Sequence, residues 1–115
     1  MADPNNIVQD TQVLDDGFLV LLSGEIDLTR SPALRVYLMN LLTSNPERLV
    51  VDLSEVELMD SSGVATLIEV LQIQRKDGRK LVLCGLKQKV QSIFEITRLN
   101  EVFVIVDDRQ TAREA

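Results

Sequence analysis

The sequence predicts an α/β fold built on a mostly parallel, mixed sheet. Three observations predict it. Short aliphatic runs of strand length recur, at 18–22 (FLVLL), 49–53 (LVVDL), 81–84 (LVLC) and 102–106 (VFVIV). Segments with apolar residues at helical spacing separate these runs. The run at 49–53 is nearly continuous rather than alternating, the pattern of a strand buried on both faces.

Ile7 to Leu14 alternates weakly and reads as a first strand. Asp15-Asp16-Gly17 is a turn signal that makes it a hairpin with Phe18–Leu22. Gly24-Glu25-Ile26-Asp27 reads as a loop leaving that second strand. Thr29, Ser31 and Pro32 mark a helix start, because Pro is tolerated in the first turn. Leu34, Leu38, Leu41 and Leu42 follow at helical spacing, and Asn45-Pro46 stops them. Leu49–Leu53 is the next strand. Glu57 to Val70, ELMDSSGVATLIEV, then reads as the end of a loop and a second helix. Val64, Leu67, Ile68 and Leu71 give that helix one apolar face, and Asp77-Gly78 ends it. Leu81–Cys84 is a strand, Val90, Ile93 and Phe94 mark a third helix, and Val102–Val106 is the last strand. Asp107 or Asp108 caps a short closing helix through Thr111 and Ala112.

The expected architecture is therefore an N-terminal antiparallel hairpin followed by right-handed strand–helix crossovers, with about four helices covering the sheet. At 115 residues the chain is expected to be one domain, 1–115, with its core in about 8–112. Functional loops of such sheets lie outside the carboxyl ends of the strands. GEID at 24–27 and ELMDSSG at 57–63 both leave strands in this way, so they are expected to be neighbours.

Composition excludes several classes of function. The chain has one Tyr, three Phe and no Trp, so the core is aliphatic. Its net charge of −6 disfavours nucleic acid and anionic membrane surfaces. RKDGRK (75–80) and KQK (87–89) are short and interrupted, and read as solvated helix ends. No apolar run approaches the roughly 18 residues of a membrane span. The first ten residues lack the basic and apolar regions of a signal peptide. Cys84 is the one cysteine, so no internal disulfide forms, and a lone thiol suits the cytoplasm. Histidine is absent, which removes the commonest metal ligand and the general base that titrates near neutral pH. No metal site, cofactor or catalytic residue is expected, and the chain is not expected to be an enzyme. DSSG is not a nucleophile elbow, and no phosphate-binding loop or dinucleotide fingerprint is present.

Asp60-Ser61-Ser62-Gly63 has two readings. Any of the first three residues caps a helix by accepting from a free N–H of the first turn. A serine there also suits phosphorylation, because unpaired N–H groups and the helix dipole favour an added phosphate. The phosphate adds about −1.5 to −2 charge in one spot. A partner already facing Asp27 and Asp60 would then meet a doubly charged group. In this reading Gly63 clears space for a visiting protein. Asp27 is either a partner contact or the start of the next helix turn, and Met59 either core or interface.

GEID (24–27), VVDLSEVELMDSSGVATLIE (50–69), GRKLVLCGL (78–86) and FEITRLNEVFVI (94–105) together resemble the STAS domain, most of all the bacterial anti-sigma factor antagonists. The resemblance runs from about residue 8 to 112, and DSSG after a strand ending in VDL is its most specific part. It implies a partner-switching role. The unmodified antagonist binds an anti-sigma factor that is also a GHKL-type serine kinase, and the sigma factor is released. The kinase phosphorylates the first serine of DSSG, the complex falls apart, and a metal-dependent serine phosphatase reverses the change. On this chain the resemblance implies Ser61 as acceptor, with Asp27, Met59, Asp60, Ser62 and Gly63 at the partner surface. It also admits an alternative, a subunit of a transport complex or stress-sensing scaffold in which Ser61 is a fixed contact. Two positions depart from the family pattern. Lys87-Gln88-Lys89 lacks a proline, and Arg98 stands where a glycine is common.

Overall fold

The Asp15-Asp16 turn folds β1 (Val8–Leu14) back on β2 (Gly17–Ile26), with Leu14 opposite Gly17. The structure, a computed structural model, describes residues 7–115. Gly17 is required at the turn, since a Cβ there would fall 1.7 Å from the Arg48 carbonyl oxygen. From β2 onward the strands are parallel. β3 (Arg48–Met59), β4 (Lys80–Cys84) and β5 (Val104–Val106) follow in spatial order β1-β2-β3-β4-β5. The crossovers carry α1 (Ser31–Leu42), α2 (Ser61–Lys76) and α3 (Gln88–Ile96), and α4 (Arg109–Glu114) closes the chain. This is the mixed sheet, hairpin and set of four helices that the sequence predicts.

Alternate strand residues point to opposite faces, and the sheet uses both. Leu22, Leu49, Val51, Leu53 and Leu83 meet Leu34 and Leu38 of α1, Leu67 and Val70 of α2, and Phe94 of α3. Phe94 and Phe103 pack edge to face, 5.4 Å between ring centres. Leu19, Val50, Val82 and Cys84 point the other way and are covered by Ala112 of α4. Burying each large aliphatic side chain contributes about 1.5–3 kcal/mol. Cys84 is 1% exposed, and burial, then the charge of Asp52, pushes its thiol up to about 12. It is an inert core residue.

Two strands are longer than the sequence predicts. GEI of GEID belongs to β2 and ELM of ELMDSSG to β3, rather than to loops. The pairing of β2 with β3 slips between Leu21 and Ser23 and again between Gly24 and Glu25, and Gly24 has φ 86°. Such bulges insert a residue and break the alternation that reveals a strand. β5 is shorter than expected, and a 3-10 turn, Leu99–Glu101, precedes it. Arg98 before that turn has φ 61°, the left-handed region that glycine enters without a Cβ penalty.

α4 is held by polar contacts as well as by Ala112. The Asp108 carboxylate caps it, accepting from the Thr111 N–H at 2.8 Å. Arg109 Nε donates to Asp52 Oδ2 at 2.5 Å, and Arg48 Nη1 donates to the Ala112 carbonyl at 3.0 Å. Asp52 is 4% exposed. Burial alone would raise its pKa, but hydrogen bonds from Arg109 and Ser54 outweigh it and hold the carboxyl below its ordinary 3.8. A depressed folded pKa gives stability that is present above the unfolded value and lost as pH falls through the folded one. Asp52→Asn is therefore expected to lower the urea midpoint near neutral pH, and the gap from the wild type is expected to begin closing as pH falls below about 4. A gap between the two midpoints that stays constant down to about pH 3 would show that the ion pair contributes nothing.

Candidate functional site

β2 and β3 end side by side. Ile26 lies opposite Met59, and the Asp60 N–H donates to the Ile26 carbonyl at 3.0 Å. The two chains then part, Asp27 toward α1 and Asp60 toward α2. This places the two acids at one carboxyl end of the sheet, near enough for Asp27 to oppose the ionisation of Asp60.

Each acid is engaged with its own turn. Asp27 Oδ1 accepts from the Thr29 hydroxyl at 2.6 Å, the Thr29 N–H at 3.0 Å and the Arg30 N–H at 3.2 Å. Its Oδ2 accepts from Arg30 Nη1 at 3.0 Å. The Thr29 hydroxyl, ahead of the other contacts, holds the Asp27 carboxyl below its usual range. Asp27 thus begins the turn into α1. Asp60 is the N-cap of α2. Its Oδ1 accepts from the Ser62 hydroxyl at 2.5 Å, the Ser62 N–H at 2.9 Å and the Gly63 N–H at 3.4 Å. The Ser62 hydroxyl is the main reason its pKa also lies low.

The two serines therefore differ. Ser62 is half-buried, donates to Asp60, and accepts from the Ser31 hydroxyl at 2.9 Å. Ser61 is exposed at the first position of α2, and its hydroxyl makes no hydrogen bond among the described residues. The cap and the candidate acceptor are different residues.

Asp27, Asp60, Ser61 and Ser62 come together at this end of the sheet, whereas Met59 and Gly63 lie beneath it. Met59 is 2% exposed and packs in the core, so its side chain is out of a partner's reach. Gly63 is buried, and a Cβ there would fall 2.8 Å from both Ile26 Cγ2 and Met59 Cγ. Its missing side chain admits the ends of β2 and β3, not a visiting protein. Leu28 and Leu58 went unnoticed in the sequence. They are 75% and 47% exposed, one directly after Asp27 and the other two residues before Asp60. The signal available was a large aliphatic residue beside each acid.

Among the described residues, no group of three or more His, Cys, Asp or Glu is placed to hold a metal ion. No helix there is long and apolar enough to cross a membrane.

The family model of the STAS domain matches residues 8–112. The chain belongs to the STAS domain family. Within it, the relatives are anti-sigma factor antagonists. The anti-sigma-B factor antagonist of Bacillus subtilis is 30% identical over 100 residues, covering 87% of this STAS domain chain and 91% of that protein. The crystal structure of an anti-sigma factor antagonist from Mycobacterium paratuberculosis superposes with a TM-score of 0.86 at 24% identity, covering 99% and 97% of the two chains. The Bacillus cell fate determinant SpoIIAA in its phosphorylated form gives a TM-score of 0.73 at 15% identity, over 93% and 97%. The two structural likenesses concern the fold. The family itself rests on the model match and the Bacillus subtilis relative.

Proposed function

We propose that this STAS domain is an anti-sigma factor antagonist switched by phosphorylation of Ser61. One observation supports this above the rest. Ser61 presents an exposed, unengaged hydroxyl at the start of α2, while Asp60 does the capping and holds Ser62. In the unmodified form, the end of the sheet bearing Asp27, Asp60, Ser61 and Ser62, with Leu28 and Leu58 beside the acids, docks on an anti-sigma factor. That partner is a GHKL-type serine kinase of the cytoplasm, and docking releases its sigma factor. Met59 and Gly63 act from below, setting where α2 begins.

The kinase supplies ATP and the chemistry, and this chain supplies only the acceptor hydroxyl. The new group carries about −1.5 to −2 charge beside two existing acids. Its place at a helix start, at the positive end of the helix dipole, leaves the fold intact. Its charge inside a docked interface does not leave binding intact, because an unpaired buried charge is costly. A serine phosphatase restores the binding form.

The test is incubation with Mg-ATP and the kinase captured from host lysate by the wild type. One phosphate on Ser61 is expected. Ser61→Ala is expected to hold the kinase and take up none. Phosphate incorporated into Ser61→Ala would reassign the acceptor. Capture of transport or scaffold subunits, equally by wild type and Ser61→Asp, would replace the proposal with a fixed contact role.

A further inference from the structure

We infer that Ser31 selects Ser61 over Ser62 as the phosphate acceptor, an inference that rests on the proposed phosphorylation of this loop. The two serines are adjacent, and both lie in the first turn of α2. By proton chemistry alone, Ser62 is the better nucleophile. Its hydroxyl donates to the Asp60 carboxylate at 2.5 Å, and a carboxylate so placed is a general base. Among the described residues, Ser61 has no such base. What disables Ser62 is Ser31. The Ser31 hydroxyl donates to Ser62 Oγ at 2.9 Å; together with the bond to Asp60 it fixes that oxygen toward α1 and takes one of its two lone pairs.

Ser31 is well fixed for this task. It is 5% exposed and is the first residue of α1. Its N–H donates to the Asp27 carbonyl at 2.8 Å, so the turn built by Asp27 sets its position. Ser62 is thereby turned toward α1 and away from solvent, while Ser61 faces out. The pairing of α1 with α2 does not depend on this one hydrogen bond. Arg35 and Glu69 join the same helices through two parallel bonds of 2.7 and 2.6 Å. Removing the Ser31 hydroxyl frees Ser62 without parting the helices.

The transfer is the same at either serine. An Oγ–P bond forms, the bond from the γ-phosphorus to the β–γ bridging oxygen of ATP breaks, and ADP leaves. At Ser61 the hydroxyl proton goes to a base of the kinase. At a freed Ser62 it goes to Asp60.

The test uses full-length chains, Mg-ATP, the kinase captured by the wild type, and tandem mass spectrometry to place the phosphate. Ser31→Ala is expected to raise the share on Ser62 by about fivefold, the effect of losing roughly one hydrogen bond's worth of restraint. Ser61→Ala alone is expected to stay unmodified, and Ser31→Ala combined with Ser61→Ala to be modified on Ser62. Should Ser31→Ala unfold, Ser31→Cys keeps the volume with a weaker donor and is read in the same way. Phosphate confined to Ser61 in every Ser31 variant would overturn the role of Ser31 and leave the acceptor assignment standing. No phosphate on the wild type, with the kinase active on another substrate, would remove the acceptor assignment and this inference together.

Discussion

Ser61→Asp is expected to weaken binding to the anti-sigma factor by about 30-fold or more while leaving the fold as stable as the wild type. The first turn of α2 contains no acidic residue, and Ser61 opens it. A carboxylate there meets the positive end of the helix dipole, which is worth about 0.3–1 kcal/mol in favour of the fold. The interface responds in the opposite sense. The new charge joins Asp27 and Asp60, whose carboxylates already oppose each other. Removing the balance of a buried interfacial charge costs about 2–5 kcal/mol, and each 1.4 kcal/mol is tenfold in affinity. Asp carries less charge than phosphate, so the lower end of that range applies. Titration calorimetry against the kinase, with urea unfolding beside it, checks both halves. Unchanged affinity would rule out an electrostatic switch, and a lowered urea midpoint would mean that the mutation acts through the fold.

Gly63→Ala is expected to destabilise the chain by about 1–3 kcal/mol, the usual cost of overpacking a full site. The added methyl would lie 2.8 Å from Ile26 Cγ2 and Met59 Cγ. Both neighbours are at most 2% exposed, and the Ile26 atom branches next to the backbone, so neither yields freely. Alanine is the better helix former by about 0.8–1 kcal/mol, which offsets part of the clash. The remainder pushes α2 off the ends of β2 and β3 and carries Ser61 with it. Partner affinity should therefore fall together with the urea midpoint. A midpoint equal to or above that of the wild type would show that the core yields and helix propensity wins.

These two sites show what could be read from the sequence. The spacing of Val64, Leu67, Ile68 and Leu71 was enough to place α2, and Leu34, Leu38 and Leu42 enough for α1, because helical periodicity survives locally. The upper ends of β2 and β3 were read as loops because the register slips near Ser23 and Gly24 erase the period of two. DSSG announced a helix cap, but not which residue caps. Nor did it announce the bond that Ser62 accepts from Ser31, 31 residues away and joined to it only by the fold. The family resemblance puts Gly63 and Met59 at the partner surface because their motif is a surface motif, while the residues alone leave Met59 open between core and interface. Their burial follows from how closely α2 approaches the strand ends, and spacing carries no record of that. Leu28 and Leu58 looked like ordinary aliphatic residues until their exposure was known.

The closing helix bears on how the chain is made. Arg109 reaches Asp52 across 57 residues, and Arg48 reaches Ala112 across 64. The face of the sheet formed by Leu19, Val50, Val82 and Cys84, flanked by Leu14 and Val106, lacks its helical cover until Ala112 has been synthesised. The Ser31–Ser62 contact and the Ile26–Met59 pairing involve only residues 26–62. On the ribosome, the acceptor end can assemble while an aliphatic wall still faces water. Exposed apolar surface of this kind makes nascent chains prone to aggregate. The six residues Arg109–Glu114 thus bear on how the sheet is covered rather than on the acceptor end.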